Sequence, residues 1–182
     1  MGADMETPSE LAWEARSRSP ETTEALGERL GRALVSGALV ALIGELGSGK
    51  TTMVRGLARG LEVREAVTSP TFTRMRALPG RLVLFHFDAW RGGALELFEQ
   101  GAEFLAGDGV AVVEWAERVA EHLPRPRIEL CLRHLGPDER GLRARLVPPP
   151  EHAGPGARAL AFALGAALER ARTTPGLDVP MR

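Results

Sequence analysis

Apolar and polar positions follow two different periods along this 182-residue chain, and the changes between them mark its elements. Residues 1 to 17 carry neither period and predict an N-terminal extension or frayed arm. Ser19-Pro20-Glu21 then sets a helix start, with serine at the N-cap and proline in the first turn. Leu26, Leu30, Ala33 and Leu34 fall on one stripe at helical spacing, and Gly37 closes the segment. Leu39 to Ile43 is a short unbroken apolar run fit for a buried strand, and Thr51 to Leu61 predicts a helix after it. Phe72 to Leu78 and Arg81 to Phe87, separated by Pro79-Gly80, predict a hairpin. Ala94 to Leu105 predicts a helix with Leu95, Phe98, Ala102 and Leu105 on one side. Val110 to Val113, the most apolar run, predicts a central strand. Trp115 to His122 predicts a helix stopped by Pro124 and Pro126.

Downstream the period returns to two. Ile128, Leu130 and Leu132 alternate with Glu129, Cys131 and Arg133, and Leu142, Ala144 and Leu146 alternate with Arg143 and Arg145. With the Gly136-Pro137-Asp138 turn between them, they predict a half-exposed antiparallel hairpin. A last helix over Ala157 to Arg172, with Leu160, Leu164 and Leu168 in register, is expected to dock on the body, and the final ten residues to be loose. The order strand, helix, hairpin, helix, strand, helix, hairpin predicts an α/β protein with a mixed parallel and antiparallel central sheet in a three-layer fold. The expected organisation is an extension over 1–17, one domain over 18–149 and a C-terminal extension with a helix over 150–182.

Composition narrows the function classes. The formal net charge of -1 gives no global attraction to nucleic acid or membrane, and aromatics are only 5% of residues, which disfavours a direct RNA-binding surface. No apolar run reaches the ~18 residues of a membrane span. The single cysteine, Cys131, excludes an intrachain disulfide and points to a reducing compartment, the cytoplasm.

One residue stands out chemically. The chain holds 23 lysines and arginines, and only Lys50 is a lysine. It lies in GELGSGKTT, where Gly44, Gly49, Lys50 and Thr51 match the phosphate-loop pattern G-x-x-x-x-G-K-[ST]. Such a loop needs a compact ammonium on a flexible stem, which a planar guanidinium does not replace. Glycines permit positive φ and close approach to phosphate oxygens, successive N–H groups make an anion-binding concavity, and the following helix adds its dipole. Lys50 would reach the β- and γ-phosphates and the Thr51 hydroxyl would ligate Mg²⁺. The candidate nucleotide-binding residues of the loop are therefore Glu45, Leu46, Gly47, Ser48, Gly49, Lys50, Thr51 and Thr52. The fold expected around them is P-loop NTPase-like, with the ligand at the carboxyl ends of the parallel strands.

Hydrolysis also needs carboxylates near the metal and the attacking water. Glu114 closes the Val110 to Val113 strand where a Walker B acid would stand. Asp88 closes the Leu82 to Phe87 strand, within His86-Phe87-Asp88-Ala89-Trp90-Arg91. An acid after a strand also serves as a solvated end or a helix cap. His86 reads as a core histidine or a hydrogen-bond partner of Asp88. Arg91 reads as a γ-phosphate ligand or an ion-pair partner, and Ser69-Pro70-Thr71 as a switch or a simple turn. Lys50, Asp88 and Glu114 are the candidate catalytic residues.

The four motifs GELGSGKTT, SPTFT, HFDAWR and VVEWAER, in this order, resemble the bacterial TsaE (YjeE) family of tRNA threonylcarbamoyladenosine biosynthesis proteins, from about Ser19 to Leu146. Where that family usually has tyrosine in the second and third motifs, this chain has Phe72 and Trp90. The resemblance implies an ATPase, slow alone and stimulated by partners, that supports formation of threonylcarbamoyladenosine at position 37 of tRNAs reading ANN codons. It implies TsaD and TsaB as partners, ATP and Mg²⁺ as ligands, and tRNA engaged only through the complex. It further implies that Thr51 and Glu114 hold Mg²⁺, Gly47 to Thr52 hold the phosphates, Asp88 orients or deprotonates water, Thr23 lies near adenine, and Trp115 matters for activity. Two other readings use the same loop. A small-molecule kinase would need an arginine-bearing lid, and a non-hydrolysing scaffold would only bridge partners.

Overall fold

The computed structural model describes residues 11–68, 75–90 and 107–180. The expected helix Ala94 to Leu105, the segment Ser69-Pro70-Thr71, Phe72 and Arg91 lie outside the described residues. Within them the strands are β1 (Ala12–Ser17), β2 (Ala38–Ile43), β3 (Met75–Leu78), β4 (Val83–Asp88), β5 (Gly109–Glu114), β6 (Arg127–His134), β7 (Arg140–Val147) and β8 (Leu177–Asp178). The helices are α1 (Pro20–Ala33), α2 (Lys50–Gly60) and α3 (Pro155–Arg172). The strands form one sheet in the order β3-β4-β5-β2-β6-β7-β1-β8. The four strands β4, β5, β2 and β6 are parallel to one another. Strand β3 pairs antiparallel with β4, and β7, β1 and β8 continue antiparallel from β6. This is the mixed α/β sheet that the periodicity predicts.

Two cores lie on opposite faces. Ala38, Val40, Leu42, Leu84, Val110, Val112, Ile128 and Leu130 point to the face covered by α1, α2 and α3. Leu39, Ala41, Phe85, Phe87, Ala111 and Val113 point to the other face, covered by Ala116, Val119 and Leu123. Side chains alternate along a strand, so His86 and Asp88 share the face of Leu84, and Glu114 that of Val110 and Val112. All three acid-base groups therefore stand on the side where α2 packs.

Helices α1 and α2 pack through glycine. A Cβ added to Gly27 would lie 2.5 Å from the Met53 carbonyl oxygen, and one on Gly31 2.4 Å from that of Leu57. Reciprocally, a Cβ on Gly56 would lie 2.1 Å from the Glu24 oxygen, and one on Gly60 2.2 Å from that of Glu28. Backbone meets backbone, and the pairing 24 with 56 and 28 with 60 shows that the helices run parallel. Arg59 ties the rims of this crossing to Glu24 and Glu28.

Several expectations are corrected. Residues 12–17 are not an arm: β1 pairs with β7 from Ala12↔Arg145 to Ser17↔Arg140, with Trp13, Ala15 and Ser17 buried. The final residues are not uniformly loose, because Thr174 is buried and Leu177–Asp178 add a short strand beside β1. Helix α1 ends at Ala33, before Gly37, because Leu34 already leaves in extended conformation. Instead of one helix, Trp115 to His122 forms two 3₁₀ turns, Ala116–Arg118 and Ala120–His122. The physical reason is Trp115 itself, whose φ of 59° is left-handed and prevents an α-helix from starting there. Helix α3 does dock, burying Ala161, Leu164, Ala167, Leu168 and Ala171. Among the described residues no helix is long and apolar enough to cross a membrane.

Candidate functional site

The segment Gly44–Gly49 leaves the end of β2 and turns into α2. Gly44, Gly47 and Gly49 have φ of 146°, 75° and 100°, values that only glycine takes without strain. Gly44 also has no room for a side chain, since its Cβ would lie 2.2 Å from the Leu132 oxygen. The turn is closed by the Ser48 N–H donating to the Glu45 oxygen at 3.1 Å. Glu45, Leu46 and Gly47 are exposed at its tip and Ser48 is buried. Helix α2 begins at Lys50 with Gly49 as N-cap and no side-chain cap. Its first-turn amides therefore keep their anion-binding capacity, reinforced by the helix dipole.

Lys50 folds back over this loop. Its Nζ donates to the carbonyls of Gly44 at 2.5 Å and Glu45 at 2.8 Å, and sits 3.6 Å from the centre of the Trp115 ring. The residue is buried. Burial pushes its pKa below the ordinary lysine range, and the charges of Glu114, Glu117 and Asp88 oppose that shift.

Strand register brings the acids to it. Glu114 stands beside Leu42 on one side and Asp88 on the other, so the ends of β2, β5 and β4 form one row. The buried Glu114 carboxylate accepts the Thr51 hydroxyl at 3.1 and 3.3 Å and contacts His86 Nε2 at 2.8 Å. The partner of His86 is thus the acid of the next strand, a pairing visible only once β4 lies against β5. His86 is fully buried and its Nδ1 has no hydrogen-bond partner among the described residues, so Nε2 is assigned as the proton-bearing nitrogen facing the carboxylate. Asp88 is half-exposed, and its Oδ1 accepts the Trp90 N–H at 2.9 Å.

Aromatic groups flank the Lys50 ammonium. Trp115 stacks on Trp90 with ring centres 4.3 Å apart, and the Arg118 guanidinium lies 4.5 Å from the Trp90 ring. Lys50, Trp115, Trp90 and Arg118 therefore form one cation–π column. Sequence alone places both tryptophans next to the acids but gives no sign of this column. Thr23 is buried in the first turn of α1, its hydroxyl 2.8 Å from Ser17 Oγ. The parallel packing of α1 on α2 sets that turn at the same end of the molecule as Lys50. Thr52 follows half-buried in α2.

The donors suit a hard, small cation. Thr51 Oγ1 and the Glu114 carboxylate are oxygen ligands in mutual contact, and no cluster of three His, Cys, Asp or Glu able to cage a metal occurs among the described residues. One carboxylate and one hydroxyl, with the rest of the shell left to phosphate and water, is how Mg²⁺ is held at nucleotide sites. Burial, then the Glu129 charge, raises the pKa of Cys131 and disfavours its thiolate.

Comparison with known proteins agrees with this architecture. The family described as Threonylcarbamoyl adenosine biosynthesis protein TsaE matches residues 17–142. The tRNA threonylcarbamoyladenosine biosynthesis protein TsaE of Treponema pallidum is 46% identical over 126 residues, covering 68% of this chain and 93% of that protein. The TsaE of Bacillus subtilis is 38% identical over 133 residues, covering 72% and 82%. The crystal structure of Bacillus subtilis YdiB superposes with a TM-score of 0.66 at 31% identity, covering 87% of this chain and 95% of that one. On the family match, these identities and the shared fold, the chain belongs to the TsaE family.

Proposed function

We propose that this protein binds ATP with Mg²⁺ and hydrolyses it in support of tRNA threonylcarbamoyladenosine synthesis, working in the cytoplasm with TsaD and TsaB. The observation that carries the reading is the contact of the Thr51 hydroxyl with the buried Glu114 carboxylate at the uncapped start of α2, within the electrostatic reach of the Lys50 ammonium. Bound Mg²⁺ would supply charge neutralisation between the phosphates. Thr51 and Glu114 would hold it, with His86 fixing the carboxylate from behind. The α2 amides and Lys50 bind and orient the triphosphate, Lys50 exchanging its two loop carbonyls for phosphate oxygens. Asp88, at the half-exposed end of the neighbouring strand, orients or deprotonates the attacking water. Trp115 and Trp90 shield the row from solvent and strengthen its electrostatics.

The formal net charge of -1 fits an accessory role, in which turnover is slow until partners complete the site and tRNA is met through them. The test is phosphate release and threonylcarbamoyladenosine formation with purified TsaB–TsaD and tRNA. The reading expects both to need this protein, and Glu114→Ala to abolish both. If Glu114→Ala stops phosphate release but still supports repeated modification, the protein is a non-hydrolysing scaffold. If the γ-phosphate appears on a metabolite, it is a kinase.

A further inference from the structure

We infer that Arg140 is a positioning residue for the phosphate loop, an inference that rests on the nucleotide-binding reading above. Arg140 opens β7, far from Gly44–Thr52 in sequence, yet its guanidinium grips that loop from behind. Nε donates to the Ser48 carbonyl at 3.0 Å and Nη2 to the Gly47 carbonyl at 3.2 Å. Nη1 faces the carbonyls of Gly136, Pro137 and Glu139 at 3.1, 3.2 and 2.9 Å. One planar fork thus ties the β6–β7 turn to the two peptides at the heart of the loop.

The consequence follows from peptide geometry. In a trans peptide the C=O and N–H point in opposite directions. Holding the Gly47 and Ser48 oxygens therefore fixes the Ser48 and Gly49 N–H groups. The Ser48 N–H closes the turn onto Glu45, and the Gly49 N–H is aimed away from the guanidinium. The flanking Gly47 and Gly49 are both at positive φ, so without this grip the segment keeps the wide backbone freedom that glycine allows. Ordering it on binding would then weaken nucleotide affinity. Arg140 also satisfies two loop carbonyls, those of Gly47 and Ser48, on the side away from the Gly49 N–H. A guanidinium does this by its rigid, multi-donor plane, and a lysine ammonium cannot span both segments.

Arg140→Met and Arg140→Lys test the inference by two readouts. Amide hydrogen exchange on the nucleotide-free protein should speed up at residues 47–50 by about 10-fold or more in the Met variant. The Kd for ADP and the KM for ATP should rise by a similar factor, with kcat at saturating ATP much less affected. Arg140→Lys should recover only part of either effect. Exchange changes confined to 135–139, an unchanged KM, or full rescue by lysine would each overturn the assignment. If the native protein binds no nucleotide, the functional reading fails, and the exchange measurement alone still decides whether Arg140 holds the loop.

Discussion

Gly56→Ala should destabilise the fold although it adds one methyl group to a helix. The new Cβ would lie 2.1 Å from the Glu24 oxygen and 2.9 Å from the Glu24 carbon and Glu28 nitrogen, all backbone atoms of α1. A comfortable C···O contact is about 3.3 Å, so the helices must part by about 1 Å, and no side chain can rotate away to relieve the clash. Overpacking of this kind costs up to about 3 kcal/mol, and the better helix propensity of alanine returns about 1 kcal/mol. The net loss of about 2 kcal/mol should lower Tm by about 4–8 °C for a chain of this size. Helix α2 carries Lys50 and Thr51 at its start, so ATP–Mg²⁺ affinity should fall as well. Thermal unfolding by circular dichroism, with nucleotide titration, measures both. Gly156→Ala is the control: it lies in the first turns of α3 with no atom within 4 Å of the added Cβ, and should leave Tm unchanged or slightly raised. If Gly56→Ala matches or exceeds native stability, the backbone-on-backbone crossing is wrong.

Glu129 should make stability acid-sensitive. It is buried, and although burial opposes its ionisation, hydrogen bonds from Arg127 and Arg145 and their charges outweigh that and hold its pKa below the ordinary carboxylate value. A depressed folded-state pKa gives stability that is present above about pH 4.3, the unfolded value, and lost as pH falls through the folded one. Glu129→Gln should therefore cost about 2 kcal/mol near neutral pH, a difference that denaturant melts should show shrinking in acid. Trp115 should report on the loop, since drawing the Lys50 ammonium off its ring changes its surroundings. Tryptophan emission should shift on adding ADP, and in a Trp90→Phe background, where Trp13 is the buried reference, Trp115→Phe should remove that response.

The strand, glycine loop and helix around Lys50 were legible in sequence because an apolar run, a motif and a change of period bound them tightly. The α1–α2 contact was not. Gly27 and Gly31, and again Gly56 and Gly60, stand four residues apart in plain view, but glycine carries no hydrophobic signal and only packing gives the spacing meaning. Strand β1 was missed because its inward residues Trp13, Ala15 and Ser17 include a small and a polar one, too weak an alternation to read. The break after Glu114 was hidden because a left-handed Trp115 leaves the apolar pattern of Trp115 to His122 unchanged. For the site, period two places His86 and Asp88 on one face, yet only the adjacency of β4 and β5 reveals that His86 serves Glu114. Arg140 is one arginine among many, and its grip on Gly47 and Ser48 depends on a turn folding back across the sheet.

The account stands most directly on isothermal titration calorimetry of the purified protein with ADP and ATP, with and without Mg²⁺. It predicts saturable one-to-one binding that strengthens with Mg²⁺ and is lost in Lys50→Arg, because a planar guanidinium does not replace the compact ammonium at the phosphates. Absence of binding by the native protein, or undiminished binding by Lys50→Arg, would contradict it.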